Sequence, residues 1–171
     1  AMPEGVDQAR DMPVASCSLA EPELAQIGSE AADGHLSSSV YFSTVTTREN
    51  ERFKTVWRQR FPALGHPSAD AEASYNAGHL LARAIEKAGD AALGPVRRAV
   101  AGMSLDAPQG PVTVDPNNHH VAMRTRIGRS TRAGTFEILT ESTAPVRPDP
   151  YLVWEEEFRH QPSAPMLRIV R

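Results

Sequence analysis

Two short runs place hydroxyl groups beside aromatic rings where a small ligand could be held. Ser37-Ser38-Ser39-Val40-Tyr41-Phe42-Ser43 sets small residues ahead of two aromatics at the end of an expected strand. Ser16-Cys17-Ser18 has the same character after an earlier strand. In open α/β sheets ligands sit outside the carboxyl ends of the strands. There, rings supply walls while hydroxyls and backbone amides supply orientation. Plain core packing accounts for Tyr41 and Phe42 equally well. Cys17 is the one cysteine. It lies in an apolar stretch and is expected to fill core space, as free cysteines usually do.

Other residue groups carry weaker chemistry. His119-His120 suggests a metal, but adjacent strand residues point to opposite faces, and zinc asks for three or four ligands in a set geometry. The expectation is a turn fixed by these side chains, with no metal. Arg124, Arg126, Arg129 and Arg132 form a basic stripe, expected to pair across strands with Glu137 and Glu141. Asp70 and Glu72 fall at a helix start, where the helix dipole explains them. Glu155-Glu156-Glu157 reads as a solvated run. No Gly-x-Ser-x-Gly elbow and no glycine-rich phosphate loop is present. No catalytic residue, metal ligand or cofactor is assigned.

The elements that must position these groups follow from periodicity. The chain has 171 residues, 40% apolar and 23% charged, enough for one ordinary core. Its net charge of −3 gives no reason to bind nucleic acid, and no run is long enough to insert in a membrane. Pro13 to Cys17 fits a buried strand and Glu21 to Gly28 a helix. His35 to Ser43 is the next strand. Thr46 and Glu49 look like a capping box opening a helix that Pro62 ends. Ala69 to Ala88 is the strongest helix, stopped by Gly89. A shorter helix covers Pro95 to Ala101. Pro111 to Val114 is a strand, and Val121 to Ile127 pairs with Thr135 to Thr140 as a hairpin. The proline-rich segment from Ala144 to Tyr151 should run extended. The order is α/β. A doubly wound sheet needs more parallel strands than these, so a missing amino-terminal part is expected.

Several segments, in this order, resemble one family. They are Pro13-Val14-Ala15-Ser16 with Glu21 to Gly28, Val40-Tyr41-Phe42-Ser43 with Thr47-Arg48-Glu49-Asn50, and Ala71-Glu72-Ala73-Ser74-Tyr75. Asp106-Ala107-Pro108-Gln109-Gly110-Pro111-Val112, Asn117-Asn118-His119 and Arg147-Pro148-Asp149-Pro150-Tyr151 continue the series. The chain resembles the carboxyl-terminal part of type I periplasmic binding proteins. The branch is that of the amide sensor of aliphatic amidase operons and of the urea and short-chain-amide receptors of ABC transporters.

The resemblance implies a two-lobed α/β fold: a parallel sheet flanked by helices, with a late antiparallel strand pair. Residues 1–43 would end lobe 2 and include a crossing strand. Residues 44–110 would be the helical part of lobe 1, 111–155 the strands returning to lobe 2, and 156–171 a tail. What carries over is a partial ligand wall of Ser16, Cys17 and Ser18 and of Tyr41 and Phe42. The rings would be walls and Ser16 or Ser18 polar contacts. The implied function is binding of a short amide or urea without chemistry, as a sensor that represses amidase expression by sequestering an antiterminator protein. The alternative is an exported receptor docking on an ABC permease, for a urea, amide or branched-chain amino-acid type system. The sensor would be cytoplasmic and the receptor periplasmic or extracellular. No leader is visible, and a homo-oligomer is allowed.

Overall fold

The computed structural model describes residues 13–28 and 30–149. Two small sheets carry the fold. The first has the order β1-β2-β6-β7, from β1 (Ala15–Ser16), β2 (Leu36–Ser39), β6 (Arg126–Ser130) and β7 (Phe136–Glu141). β1 and β2 are parallel, with α1 (Glu21–Ile27) between them in sequence, and the other pairs are antiparallel. The second sheet has the order β3-β4-β5, from β3 (Ser104–Ala107), β4 (Gly110–Val114) and β5 (Val121–Ala122), all antiparallel. Helices α2 (Arg48–Arg60), α3 (Ala69–Ala88) and α4 (Leu93–Val100) precede it. This is the expected α/β arrangement, with one parallel strand pair and otherwise antiparallel sheets.

Each sheet has its own apolar cluster. Leu24, Ala32, Phe42 and Phe136 sit against the first. Leu80 of α3 packs with Leu105, Ala107, Val112 and Val114 at the second. The alternation of β3 and β4 puts those residues on one face while Ser104, Asp106, Pro111 and Thr113 face out. Helix α3 has the ends that its sequence encodes. The Ser68 hydroxyl accepts the Ala71 N–H, and Gly89 closes the helix at φ 65°, where a side chain would strain the backbone.

Among the described strands the chain passes between the sheets twice, after β2 and between β5 and β6, and beyond β7 Val146 bridges Met123 next to the second sheet. The expected single strand from Val121 to Ile127 is therefore two. Val121 and Ala122 pair with β4, while Arg126 to Ser130 pairs with β2 and β7. The break at residues 123–125 separates the two pairings. The expected hairpin is the β6–β7 pair. Strand β3 is an addition to the expected elements.

Four local expectations change. Thr47, not Thr46, caps α2, accepting the Asn50 N–H at 3.0 Å. The residue three past the cap is thus Asn50, whose side chain is used elsewhere. Cys17 is exposed rather than core. Strand β1 is a two-residue edge, and the chain leaves it through a turn in which the Ser18 N–H donates to Ser16 Oγ at 3.0 Å. The expected buried strand is for the same reason open, with Val14 54% exposed. The turn at 115–120 is fixed by Asp115 and Asn118 rather than by the histidines. Asp115 Oδ1 accepts the Asn117 N–H, and Asn118 Oδ1 accepts the His120 N–H. Glu155-Glu156-Glu157 and Tyr151 lie outside the described residues.

Candidate functional site

Behind the first pass lies a buried polar layer. Residues 40–45 leave β2 and reverse, with the Val45 N–H bonded to the Phe42 carbonyl at 3.0 Å. The reversal turns both expected ligand walls inward. Phe42 is fully buried in the first cluster. Tyr41 is also buried, and its hydroxyl donates to Asn50 Oδ1 at 2.8 Å. Burial, then the Glu21 and Glu72 charges, push that hydroxyl well above the ordinary tyrosine range. Asn50 Nδ2 donates to the Ser43 and Val45 carbonyls. A single side chain from α2 therefore shapes the whole pass. Asn50 is more than a capping-turn residue, and its role has no sequence signal beyond its place after Thr47.

A second layer joins the pass to the second sheet. The Thr47 hydroxyl donates to the Pro108 carbonyl at 2.7 Å. Arg126 donates to the Val40 carbonyl, to the Gln109 carbonyl at 2.8 Å and to Glu141 Oε2 at 3.0 Å. The basic stripe splits accordingly. Arg126 pairs with Glu141 as expected, Arg129 lies opposite Glu137 in register, and Arg132 reaches Asp33 instead. Arg124 also donates to the Ser142 carbonyl.

Glu72 is the surprise of this layer. At a helix start it reads as a surface residue, yet it is fully buried. It accepts from Asn76 Nδ2 at 2.6 Å, Gln109 Nε2 at 3.2 Å and the Gln109 N–H at 3.3 Å. Burial outweighs these donors and the nearby Arg126, so its pKa is raised above the ordinary 4.5. The native state then holds the proton more tightly than the unfolded chain. The contribution of Glu72 to stability is present below about pH 4.5 and is lost as pH rises through the higher native value. We expect Glu72→Gln to flatten the fall of the urea midpoint with pH above about 4.5. Parallel midpoint profiles for parent and variant would refute this.

Two clefts meet at Thr44. The larger, about 760 Å³, is lined by Thr47, Gln109, Arg124, Arg126, Phe136 and Glu141 among others. Most of its buried polar groups are spent on one another. The second, about 520 Å³, lies between the carboxyl end of β2 and the later part of α2. Its lining includes Ser43, Thr44, Arg58, Phe61, His66 and Thr135. Ser43 is 2% exposed, and its hydroxyl lies against the Glu21 carboxylate. The Ser43 N–H donates to Glu21 Oε1 at 2.6 Å, tying the end of β2 to the start of α1. Glu21 is buried, and desolvation outweighs that hydrogen bond to raise its pKa. This cleft opens past the carboxyl end of β2, on the side of a strand end where an open α/β sheet places its ligand.

The expected contacts fall around it unevenly. Tyr41 and Phe42 immediately precede its lining residues Ser43 and Thr44 but are not among them. Ser16 is half-buried and Ser18 exposed at the end of β1, hydroxyl to hydroxyl at 3.3 Å. Among the described residues no group of three histidine, cysteine or acidic side chains is placed to hold a metal.

Residues 2–157 match the family described as periplasmic binding protein domain. The chain belongs to that family. This periplasmic binding protein domain is similar to an ABC-transporter solute-binding protein of R. palustris in complex with 4-hydroxybenzoate. Identity is 25% and the TM-score 0.72, over 85% of this chain and 40% of that one. It is also similar in fold to a leucine-binding protein of Thermotoga maritima, at 20% identity and a TM-score of 0.62, over 79% and 39% of the two chains. A curated limonene hydroxylase of Geobacillus stearothermophilus is 25% identical over 126 residues, 74% of this chain and 23% of that protein. The domain thus spans 40% or less of these relatives' lengths. The family and its structural neighbours are binding proteins, and the hydroxylase match is distant and partial. No helix of the described residues is long and apolar enough to cross a membrane.

Proposed function

We propose that this chain is the carboxyl-terminal part of an extracytoplasmic solute receptor, which closes two lobes on a small polar solute and presents it to an ABC permease. The observation that carries the reading is the cleft beyond the carboxyl end of β2, where Ser43, Thr44 and Thr135 face Arg58, Phe61 and His66. The family match and the ABC-transporter neighbours favour the receptor over the amide sensor. A short amide or urea draws its support from the sequence resemblance and from the hydroxyls of Ser43, Thr44 and Thr135.

In this reading one lobe holds the first sheet and the other holds α2 to β5, with the two passes as the hinge. Ser16 and Ser18 add polar contacts from the end of β1. Tyr41 and Phe42 act as the layer behind the cleft wall. Capture involves no bond chemistry, and a solute drives closure only through its higher affinity for the closed state.

Calorimetric titration of the complete protein with 4-hydroxybenzoate, leucine, butyramide and urea should give heat with at least one of them. Silence with all four at millimolar concentration would overturn capture. Recovery of the protein only from the cytosol would overturn the receptor role and return the amide sensor to first place.

A further inference from the structure

We infer that the cleft between helix α4 and the turn at 115–120 docks an acidic segment of a partner protein, one that carries an apolar side chain beside its carboxylates. This cleft shares no lining residue with the two that meet at Thr44, so it is separate from solute capture.

Helix α4 has two unlike faces. Ala99 is buried and its carbonyl accepts from Lys87 Nζ at 3.1 Å, while Val100 packs against the second apolar cluster. Gly94, Arg97, Arg98 and Ala101 recur at the spacing of one helix face, turned away from that packing. They form one side of an open cleft of about 500 Å³, and Pro116 and His119 form the other. Gly94 and Ala101 leave the helix side low enough for another backbone to approach. The Arg98 guanidinium lies over Gly94, 3.5 Å from where a Cβ there would stand.

The charge in this cleft is one-sided. No aspartate or glutamate lines it. Arg97 and Arg98 are exposed and make no ion pair or hydrogen bond among the described residues. The acids that flank these segments are used locally. Asp90 takes the Ala92 N–H at 2.9 Å, and Asp115 takes the Asn117 and Asn118 N–H groups and Arg147. Free guanidinium groups are matched to carboxylates, which they hold through paired hydrogen bonds.

The far wall is rigid. His119 has φ 62°, the one positive value outside glycine among the described residues. Such a conformation persists where its surroundings over-determine it, and it gathers at functional sites. Here the His119 N–H donates to the Asp115 carbonyl at 2.9 Å and the Asp115 N–H to the His120 carbonyl at 2.7 Å. Leu93, one turn before Arg97, stands 82% exposed and gives the partner an apolar contact beside the arginines. A concave basic site admits a projecting chain, whereas a flat anionic bilayer would meet only its rims. A single small anion would leave most of the cleft unfilled.

The test uses the complete protein and a fluorescein-labelled peptide of alternating glutamate and leucine, read by anisotropy. Its twin carries glutamine for glutamate. The acidic peptide should bind about tenfold tighter than the twin or better, and more weakly as salt rises. Arg97→Gln with Arg98→Gln, at exposed positions, should remove most of that advantage. Arg52→Gln with Arg83→Gln, an equal charge loss elsewhere on the surface, should change it by less than about twofold. His119→Asn keeps a residue that tolerates the left-handed backbone but loses the ring, and about threefold weaker binding is expected. No binding of the acidic peptide at about 1 mM overturns the inference. Equal losses in the two arginine pairs overturn it as well, since the whole surface field would then be responsible. Unchanged binding in His119→Asn would reduce the cleft to a bare charged helix face and overturn it. Full competition by inorganic phosphate at matched ionic strength would make this a simple anion site. Tighter binding to phosphatidylglycerol vesicles than to the peptide, lost with Arg97 and Arg98, would replace the protein partner by a membrane.

Discussion

Arg126→Met is expected to destabilise the complete protein by about 2–5 kcal/mol, read as a lower urea midpoint with an unchanged slope. The residue is 4% exposed and its three hydrogen bonds go to three different parts of the chain. The Val40 carbonyl belongs to the first pass, Gln109 to the β3–β4 turn and Glu141 to the end of β7. Methionine keeps much of the volume but offers no donor. Two buried carbonyls then lose their partner, at about 1–3 kcal/mol each. Glu141 loses little, since 46% of its side chain is exposed and water replaces the guanidinium. Arg126→Lys should recover less than half of the loss, because one ammonium cannot reach three acceptors in a fixed fork. A second readout separates this from generic core damage. Arg126 is among the charges that hold the Glu72 pKa down, so its removal should steepen the fall of stability with rising pH. A loss under about 1 kcal/mol, with an unchanged pH profile, would mean that the sheets are held together by something else.

What the sequence makes legible here depends on how far each signal reaches. Helix α3 was readable to its ends because every cue lies within it: Ser68 before the first turn, Leu80 and Ala84 on one stripe, and Gly89 after the last. The strands were less readable. Val121, Met123, Thr125 and Ile127 alternate as one strand would, but alternation does not say which sheet a strand joins. The chain changes sheets at residues 123–125, and only the pairing partners, far off in sequence, reveal it. Strand β3 is four residues long, with only Leu105 and Ala107 to mark its buried face. None of the expected ligand contacts lines the candidate cleft: Tyr41 and Phe42 precede Ser43 and Thr44, which do. That offset comes from the reversal at Val45, which swings the rings into the core. Nothing local marked the burial of Glu21 and Glu72, since acids in a first helical turn are ordinary on a surface.

Phe42→Ala is the second large effect, expected at about 3–5 kcal/mol. Its ring is fully buried and packs on Phe136 with centroids 4.6 Å apart and planes tilted by 30°. Truncation removes the largest contact in the first cluster and leaves a cavity that the β6–β7 sheet cannot close. The ring also explains a glycine. A Cβ at Gly128 would stand 2.8 Å and 2.9 Å from two Phe42 ring atoms and 3.1 Å from Phe136 Cβ. Gly128→Ala alone should therefore cost about 1–3 kcal/mol through overpacking. In the double variant the added methyl enters space that the ring has vacated, so the combined loss should be smaller than the sum of the two. Additive losses would show that Gly128 is kept for its backbone, at the bulge between Ile127 and Gly128, rather than for the ring above it. The same pair bears on binding. If Phe42 only backs the wall that Ser43 and Thr44 present, its truncation should lower stability more than it lowers solute affinity, measured where the variant is still folded.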